Sequence, residues 1–212
     1  MYLLNKGRKN KMKGKKTPPV LQKINPQITM HDTIFKVVLF GEDGVGTSTL
    51  LKHTTSDYIY DTKLTIGVDL WVKKNTKDVD LREKILEIEG RTVKLLILRL
   101  SNEERFKYLQ PRYVRTANGA IFMYDITNRT TLDNIPEWTQ TIRESAGDIP
   151  IVLVGGKTDL AGREVSKEEG TQIANSRNFN AFIECSAKTE ENIEEIFKAL
   201  SKLLLQRLKI IK

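Results

Sequence analysis

One short stretch constrains the fold of this chain more than any other. Residues 41–50 read Gly-Glu-Asp-Gly-Val-Gly-Thr-Ser-Thr-Leu and follow the largely apolar run 34–40. This spacing is typical of a phosphate-binding loop between a buried strand and a helix, because glycines let backbone N–H groups approach a phosphate closely. The motif G-x-x-x-x-G-K-[ST] carries a lysine after its last glycine, and Thr47 occupies that position here. The stretch therefore predicts a phosphate loop without its main cationic side chain.

The bulk composition fits a single folded domain. The chain has 212 residues, of which 39% are hydrophobic. No apolar run approaches the length of a membrane span, which is about 20 residues. No apolar segment of the kind found in signal peptides follows the basic N-terminus, so we expect no signal peptide. Cys185 is the single cysteine, which excludes an internal disulfide and favours a cytoplasmic location.

The excess positive charge is concentrated at one end. Residues 1–30 contain eight basic residues and no acidic residue, while the whole chain carries a formal charge of +8. We therefore predict a basic disordered arm over 1–30 and a folded domain over 31–212. Two interpretations of the arm remain open. Residues 1–16 make a weak, salt-sensitive contact with an anionic membrane, at roughly 1 kcal/mol per basic residue, or they form a solvated extension. We expect no specific nucleic-acid binding, because aromatic residues are not interleaved with the basic ones.

The remaining sequence alternates short apolar runs with helical patterns, which predicts a parallel sheet with crossover helices. We expect strands near 34–40, 68–74, 85–88 with 93–99, 119–125, 150–155 and 180–184. Helices are expected near 47–56, 131–146, 166–177 and 190–208. The predicted fold class is α/β: a single doubly wound P-loop domain with a mostly parallel six-stranded sheet and about five helices. The ligand crevice of such a domain lies at the carboxyl ends of the strands.

Five local motifs follow the phosphate loop in a specific order. They are Thr-Ile-Gly-Val-Asp at 65–69, Glu-Arg-Phe at 104–106, Ile-Phe-Met-Tyr-Asp-Ile-Thr at 121–127, Val-Gly-Gly-Lys-Thr-Asp-Leu at 154–160, and Cys-Ser-Ala-Lys at 185–188. In this order and at these spacings, residues 34–208 resemble the Ras superfamily of small GTPases. The first two motifs are most similar to the Rab branch.

The resemblance implies that GTP or GDP binds together with Mg²⁺. The matching phosphate-binding positions are Gly41, Gly44, Val45, Gly46, Thr47, Ser48 and Thr49. Ser48 and Thr65 match the hydroxyls that ligate the metal. Thr47 stands in place of the lysine, and its simplest interpretation is a small polar residue that begins the helix.

The resemblance also implies a guanine-binding segment. The matching positions are Tyr58, Lys157, Asp159, Ser186, Ala187 and Lys188. Asp159 accepts hydrogen bonds from the guanine N1–H and the exocyclic amine. Tyr58 packs against the base, or else simply lies in the core. The family asparagine that contacts the base and braces the phosphate loop is Gly156 here, so we expect a weakened guanine preference.

The second switch departs most from the family. The pattern W-D-T-A-G-Q-E-R-F aligns with residues 98–106. Arg99 replaces the aspartate that orders water around the metal, and Asn102 replaces the glycine that senses the terminal phosphate. Glu103 replaces the glutamine that orients the attacking water. Glu103 stays the candidate catalytic residue, because a carboxylate can act as a base. Its negative charge beside a phosphate nevertheless predicts slow or absent hydrolysis.

Two interpretations of Arg99 remain open. In the first, Arg99 points into the site and pairs with the β-phosphate, since guanidinium suits forked phosphate contacts. It then replaces the missing lysine and makes Mg²⁺ dispensable. In the second, the site has decayed, and Arg99 lies outward or pairs with Glu42, Asp43 or Glu103.

Two functions also remain open. The first is a monomeric guanine-nucleotide switch that engages effector proteins through residues 65–69 and 101–113. The second is a pseudo-GTPase, an interaction module that binds no nucleotide. A charged insertion near 73–84 forms either a solvated hairpin tip or a partner site. We expect no prenylation, because the C-terminal residues 207–212 include no cysteine.

Overall fold

The computed structural model describes residues 33–54, 79–100 and 113–211. Six strands in these ranges form one sheet in the order β2-β3-β1-β4-β5-β6. Their bounds are β1 (Thr33–Gly41), β2 (Val79–Ile88), β3 (Arg91–Leu100), β4 (Gly119–Asp125), β5 (Ile151–Gly156) and β6 (Ala181–Glu184). β2 pairs with β3 in antiparallel fashion, and every other neighbouring pair is parallel. The predicted mostly parallel six-stranded sheet is confirmed.

Four α-helices lie in the described ranges. They are α1 (Thr47–Leu51), α2 (Ile135–Ala146), α3 (Lys167–Ser176) and α4 (Ile193–Arg207), and a 3₁₀ turn (Arg129–Leu132) precedes α2. α3 begins where the sequence predicts, because the Ser166 hydroxyl accepts a hydrogen bond from the Glu169 N–H at 3.1 Å. None of the helices in the described ranges has the length and the apolar run that a bilayer crossing requires.

The core consists of two apolar layers, one on each face of the sheet. α1 and α4 cover one face, where Leu50 and Phe197 pack against Val37. α2 and α3 cover the other face, where Trp138 packs against Phe40 with ring centroids 4.5 Å apart. Every residue of β4 and β5 is buried, as is typical of central parallel strands. The domain is doubly wound, as predicted.

The first helix is shorter than the sequence predicts. We expected helix 47–56, whereas α1 ends at Leu51. The Thr54 hydroxyl donates a hydrogen bond to the Leu51 carbonyl at 2.6 Å, and the Thr54 N–H bonds to the same oxygen at 3.2 Å. These bonds close the last turn, because they satisfy a carbonyl that would otherwise accept from the next residue of the helix.

The prediction of a charged hairpin tip is wrong for the residues after 78. Residues 79–84 form the first half of β2, and the tip is the tight turn at Glu89 and Gly90, which both have positive φ. The charged side chains fit into the strand because they are paired. The pairs are Arg82 with Asp80 at 2.9 Å, Lys94 with Glu83 at 3.2 Å, and Lys84 with Glu194. The predicted strand 68–74 and the arm 1–30 lie outside the described residues.

One lysine is buried in the second apolar layer. Lys36 lies on β1 and is 6% exposed. Its ammonium donates hydrogen bonds to the Tyr113 carbonyl at 2.7 Å and to the Thr116 hydroxyl at 2.6 Å. Burial lowers the pKa of Lys36 from its ordinary 10.5 to about 8. Protonated Lys36 therefore costs folding free energy, which the two hydrogen bonds offset in part.

We predict that deprotonation of Lys36 stabilises the domain at alkaline pH. Above pH 8 the unfolded chain binds more protons than the native state at this residue, so the free energy of unfolding rises with pH. The rise attributable to Lys36 is about 1–3 kcal/mol between pH 8 and 10.5. Urea denaturation at several pH values measures it, with Lys36→Met as the reference. Identical pH profiles for the two proteins would contradict the prediction.

Candidate functional site

The loop after β1 has the geometry that its glycines predict. Gly44 and Gly46 have φ angles of 82° and 109°, values that residues with a Cβ rarely adopt. A Cβ on Gly41 would lie 2.6 Å from the Met123 carbonyl oxygen, so only glycine fits there. The Leu50 N–H bonds to the Gly46 carbonyl at 2.9 Å and starts α1. The loop therefore approaches β4 closely and turns directly into the helix.

The first residues of α1 differ in exposure. Thr47 is 9% exposed, and its methyl group lies 3.1 Å from the position that a Cβ on Gly41 would occupy. It packs against the beginning of the loop. Ser48 is exposed and Thr49 is half-buried, so the Ser48 hydroxyl is accessible to a ligand.

Arg99 lies on the same face of the sheet as α1. It is opposite Leu39 of β1, two residues before the loop begins. Every second residue of a strand points to the same face of the sheet. Val93, Leu95 and Ile97 pack in the apolar layer beneath α1, so Arg99, which continues this series, lies on the same face. The position is therefore next to the start of the phosphate loop.

The guanidinium of Arg99 has no ion-pair partner within the described ranges. Its Nε is buried and makes no hydrogen bond. Asp80, which is opposite Arg99 in the β2–β3 pairing, is bound to Arg82 at 2.9 Å. Glu42 accepts a hydrogen bond from the Asn134 amide at 2.5 Å. Within these ranges, Arg99 thus forms no ion pair with Glu42 or Asp43.

A buried serine orders the base segment. The Ser186 hydroxyl donates to Asp159 Oδ1 at 2.6 Å, and its oxygen accepts from the N–H groups of Lys188 at 3.2 Å and Thr189 at 3.0 Å. Ser186 is fully buried, and the Asp159 side chain is 13% exposed. Three of the residues predicted to bind the base are therefore held together, with Asp159 fixed in one orientation.

Lys157 is tethered to Asp125. Its ammonium lies 2.5 Å from Asp125 Oδ2, and the Thr127 N–H and hydroxyl donate to Oδ1 at 2.9 and 2.7 Å. Burial on its own would raise the pKa of Asp125, but the hydrogen bonds from Lys157 and Thr127 outweigh it and lower the pKa. The contact fixes the end of the Lys157 side chain at the crevice.

Two contacts at the site involve residues that sequence reasoning did not select. The His53 Nε2 atom hydrogen-bonds to the Ala187 carbonyl at 2.8 Å, which links the end of α1 to the base segment. The Met123 methyl group lies between Gly46 and Gly156. Neither the single histidine after α1 nor the methionine in an apolar strand belongs to a motif, so the sequence gives no sign of these contacts. Asp125 belonged to a recognised motif, but the sequence did not reveal its pairing.

Other predicted residues lie outside the described ranges. They are Tyr58, Thr65, Asn102 and Glu103, together with the effector surfaces at 65–69 and 101–113 apart from Tyr113.

The described residues suit the implied nucleotide better than the implied metal. The open glycine loop and the ordered Asp159 fit a guanine nucleotide. Arg99, a cation at the position of the family aspartate, does not suit Mg²⁺, whereas Ser48 is exposed and the second implied ligand, Thr65, lies outside the described ranges. Those ranges also contain no cluster of three His, Cys, Asp or Glu side chains suited to a metal.

The comparison with known proteins agrees with this geometry. A model of the Ras family matches residues 36–206. The chain belongs to the Ras family. Ras-related protein SEC4 of Saccharomyces cerevisiae is 35% identical over 84% of this chain and 78% of the relative. Human Ras-related protein Rab-19 is 34% identical over 83% and 77%, and Ras-related protein Rab2BV of Beta vulgaris is 36% identical over 80% and 75%. The predicted resemblance to Rab-like small GTPases is confirmed.

We predict that Ser186→Ala destabilises the domain. The change leaves the N–H groups of Lys188 and Thr189 without the acceptor of their part-buried hydrogen bonds and Asp159 without its donor, at a cost of about 1–3 kcal/mol. Urea denaturation at pH 7 measures the loss. Ser176→Ala is the matched control, because that exposed hydroxyl bonds only to the Ile173 carbonyl. Equal effects of the two changes would contradict the prediction.

Proposed function

We propose that this Ras-family chain is a guanine-nucleotide-binding switch whose intrinsic GTP hydrolysis is slow or absent. The observation that carries the proposal is the Ser186–Asp159 contact of 2.6 Å, which orients a carboxylate for guanine. A carboxylate kept only for packing would not need a buried hydroxyl that fixes its orientation. The open loop at Gly44 and Gly46 supports phosphate binding at the same edge of the sheet.

Arg99 is the residue proposed to pair with the β-phosphate. Its Nε is a buried donor without an acceptor in the described part of the chain, and a buried donor without a hydrogen bond costs folding free energy. The carboxylate opposite Arg99 in the β2–β3 pairing, that of Asp80, is already paired with Arg82. An anionic ligand beside the phosphate loop would satisfy this donor. These points favour compensation over pairing with Glu42 or Asp43, whereas Glu103, the third partner of the decay interpretation, lies outside the described residues.

Slow hydrolysis is supported by the sequence rather than by the described residues. Glu103 has no amide N–H to donate, and its negative charge opposes a phosphate. Asn102 adds a side chain where the family has glycine. The same replacements leave binding possible, because neither residue belongs to the loop or to the base segment.

The proposed partners follow from the family. Effector proteins would bind through residues 65–69 and 101–113, and the chain would act as a monomer. Residues 1–16 would supply a weak contact with an anionic membrane. This contact would weaken as salt increases, because exposed charges are screened over about 8–10 Å at physiological ionic strength.

We predict that GDP binds in the presence of EDTA and that binding depends on Arg99. Loss of one charge-assisted contact in Arg99→Ala should weaken binding about tenfold to hundredfold. Titration of the purified protein with a fluorescent GDP, with EDTA or with excess Mg²⁺, measures both effects. Arg91→Ala is the control, because it removes the same charge from the other end of β3.

Two results would argue against this model. A loss of GDP affinity of more than about tenfold on adding EDTA would show that Mg²⁺ is required and would exclude compensation by Arg99. If neither GDP nor GTP binds at tens of micromolar protein, the switch proposal fails and the chain acts as a pseudo-GTPase that engages partners without nucleotide.

We also predict that Asp159 distinguishes guanine from hypoxanthine. Hypoxanthine lacks the exocyclic amine that Asp159 would bind, so GDP should bind about tenfold to hundredfold more tightly than inosine diphosphate. Asp159→Ala should abolish the difference. Competition titrations measure it, with Asp148→Ala as a control, since that carboxylate is 91% exposed and pairs with Arg143. An unchanged ratio in Asp159→Ala would contradict the prediction.

A further inference from the structure

Met123 occupies the space between the phosphate loop and the base segment. It lies in β4, opposite Gly41 of β1 on one side and Val154 of β5 on the other. The side chain is 2% exposed. Its terminal methyl is 3.1 Å from the position that a Cβ on Gly46 would take. It is 2.6 Å from the corresponding position on Gly156.

Gly156 is the residue that this arrangement restricts. Real Cβ atoms essentially never approach another heavy atom within 3.0 Å, so a side chain at 156 requires the flexible end of Met123 to move. The carbonyl oxygens of Val45 and Tyr124 lie 3.2 and 3.3 Å from the same Cβ position. These distances are tighter than most real Cβ contacts, so a side chain at 156 would also press on the backbone. Glycine at 156 therefore leaves the space that the Met123 methyl occupies.

The contact changes how the two halves of the site are joined. In the resembled family, an asparagine at the position of Gly156 braces the phosphate loop through polar contacts. Here a thioether and its methyl group fill the gap by dispersion contacts, which are not directional. The loop is then positioned by the volume of Met123 instead of by a hydrogen bond.

We propose that Met123 is a positioning residue that replaces the asparagine brace, and that Met123 and Gly156 form a coupled pair. Met123 sets the separation between Gly46 and Gly156. Its role in positioning the phosphate loop for nucleotide rests on the proposed function, whereas the coupling itself does not. The pair also explains how the family asparagine was lost without opening a cavity at the crevice.

The test is a double-mutant cycle on the full chain. The proteins are the wild type, Met123→Val, Gly156→Asn and the double variant, and the readouts are melting temperature and GDP affinity. Gly156→Asn alone should lower the melting temperature by several degrees and weaken GDP binding about tenfold. In the double variant the smaller valine leaves room for the amide. It should melt close to Met123→Val and bind GDP about as tightly as the wild type, or more tightly.

Milder variants keep the test decisive if Gly156→Asn does not fold. Gly156→Ala introduces only the Cβ and should show the same rescue by Met123→Val. Gly155→Ala is the matched control, because its Cβ would meet Ile126 and Tyr124 and not Met123. Its effect should add to that of Met123→Val without rescue. Additive effects at Gly156 would overturn the proposal.

The two readouts separate this inference from the proposed function. If no protein binds GDP but the melting temperatures are coupled, the switch proposal fails and the paired packing stands. If GDP binds to all four proteins with equal affinity, Met123 fills the core without positioning the loop, and the positioning role is excluded.

Discussion

The close approach of the phosphate loop to strand β4 determines the rest of this site. A Cβ on Gly41 would lie 2.6 Å from the Met123 carbonyl oxygen, so the two backbones meet with no side chain between them. This approach places the loop beside the ends of β4 and β5, where the base segment begins. Without it, the two halves of the crevice would not face each other. The contact fixes the start of the loop, whereas the hydrogen bonds of Ser186 order the base segment.

The two halves are stabilised by different kinds of interaction. The base half depends on polar contacts in which a buried hydroxyl, a carboxylate and a histidine ring each have a partner. The phosphate half depends on backbone conformation and on the volume of Met123. Polar contacts fix direction, whereas apolar packing fixes only distance. Such a site retains its selectivity for a base more easily than its affinity for phosphates.

Much of the fold was predictable from the sequence, because its signals are local. Apolar runs defined β1, β4, β5 and β6 within about two residues, as helix and strand boundaries usually allow. The start of β2 was not predicted, because its residues are charged. Glu83 of β2 is accommodated by an ion pair with Lys94 of β3. The end of α1 depended on one hydroxyl, that of Thr54. Neither pairing is visible before the chain is folded.

The site was predictable only where a motif names its residues. The sequence placed Asp159 and Ser186 in one segment, and the structure adds the hydrogen bond between them. The sequence showed that Gly156 replaces the family asparagine. The structure adds that Met123, from a different strand, fills the space beside Gly156. Such a replacement has no local signal, because it depends on volume shared between segments 33 positions apart.

The tether between Lys157 and Asp125 has a consequence for how an anion approaches the crevice. The carboxylate already neutralises this ammonium at 2.5 Å, and the loop itself carries Glu42 and Asp43 but no cation. Lys157 and the loop therefore add little long-range attraction to a nucleotide. The exposed ammonium of Lys188, at the base segment, lies 3.9 Å from Asp159 Oδ2. On the proposed pairing with Arg99, the phosphates would gain an opposite charge beside the start of the loop and not from the loop's own side chains.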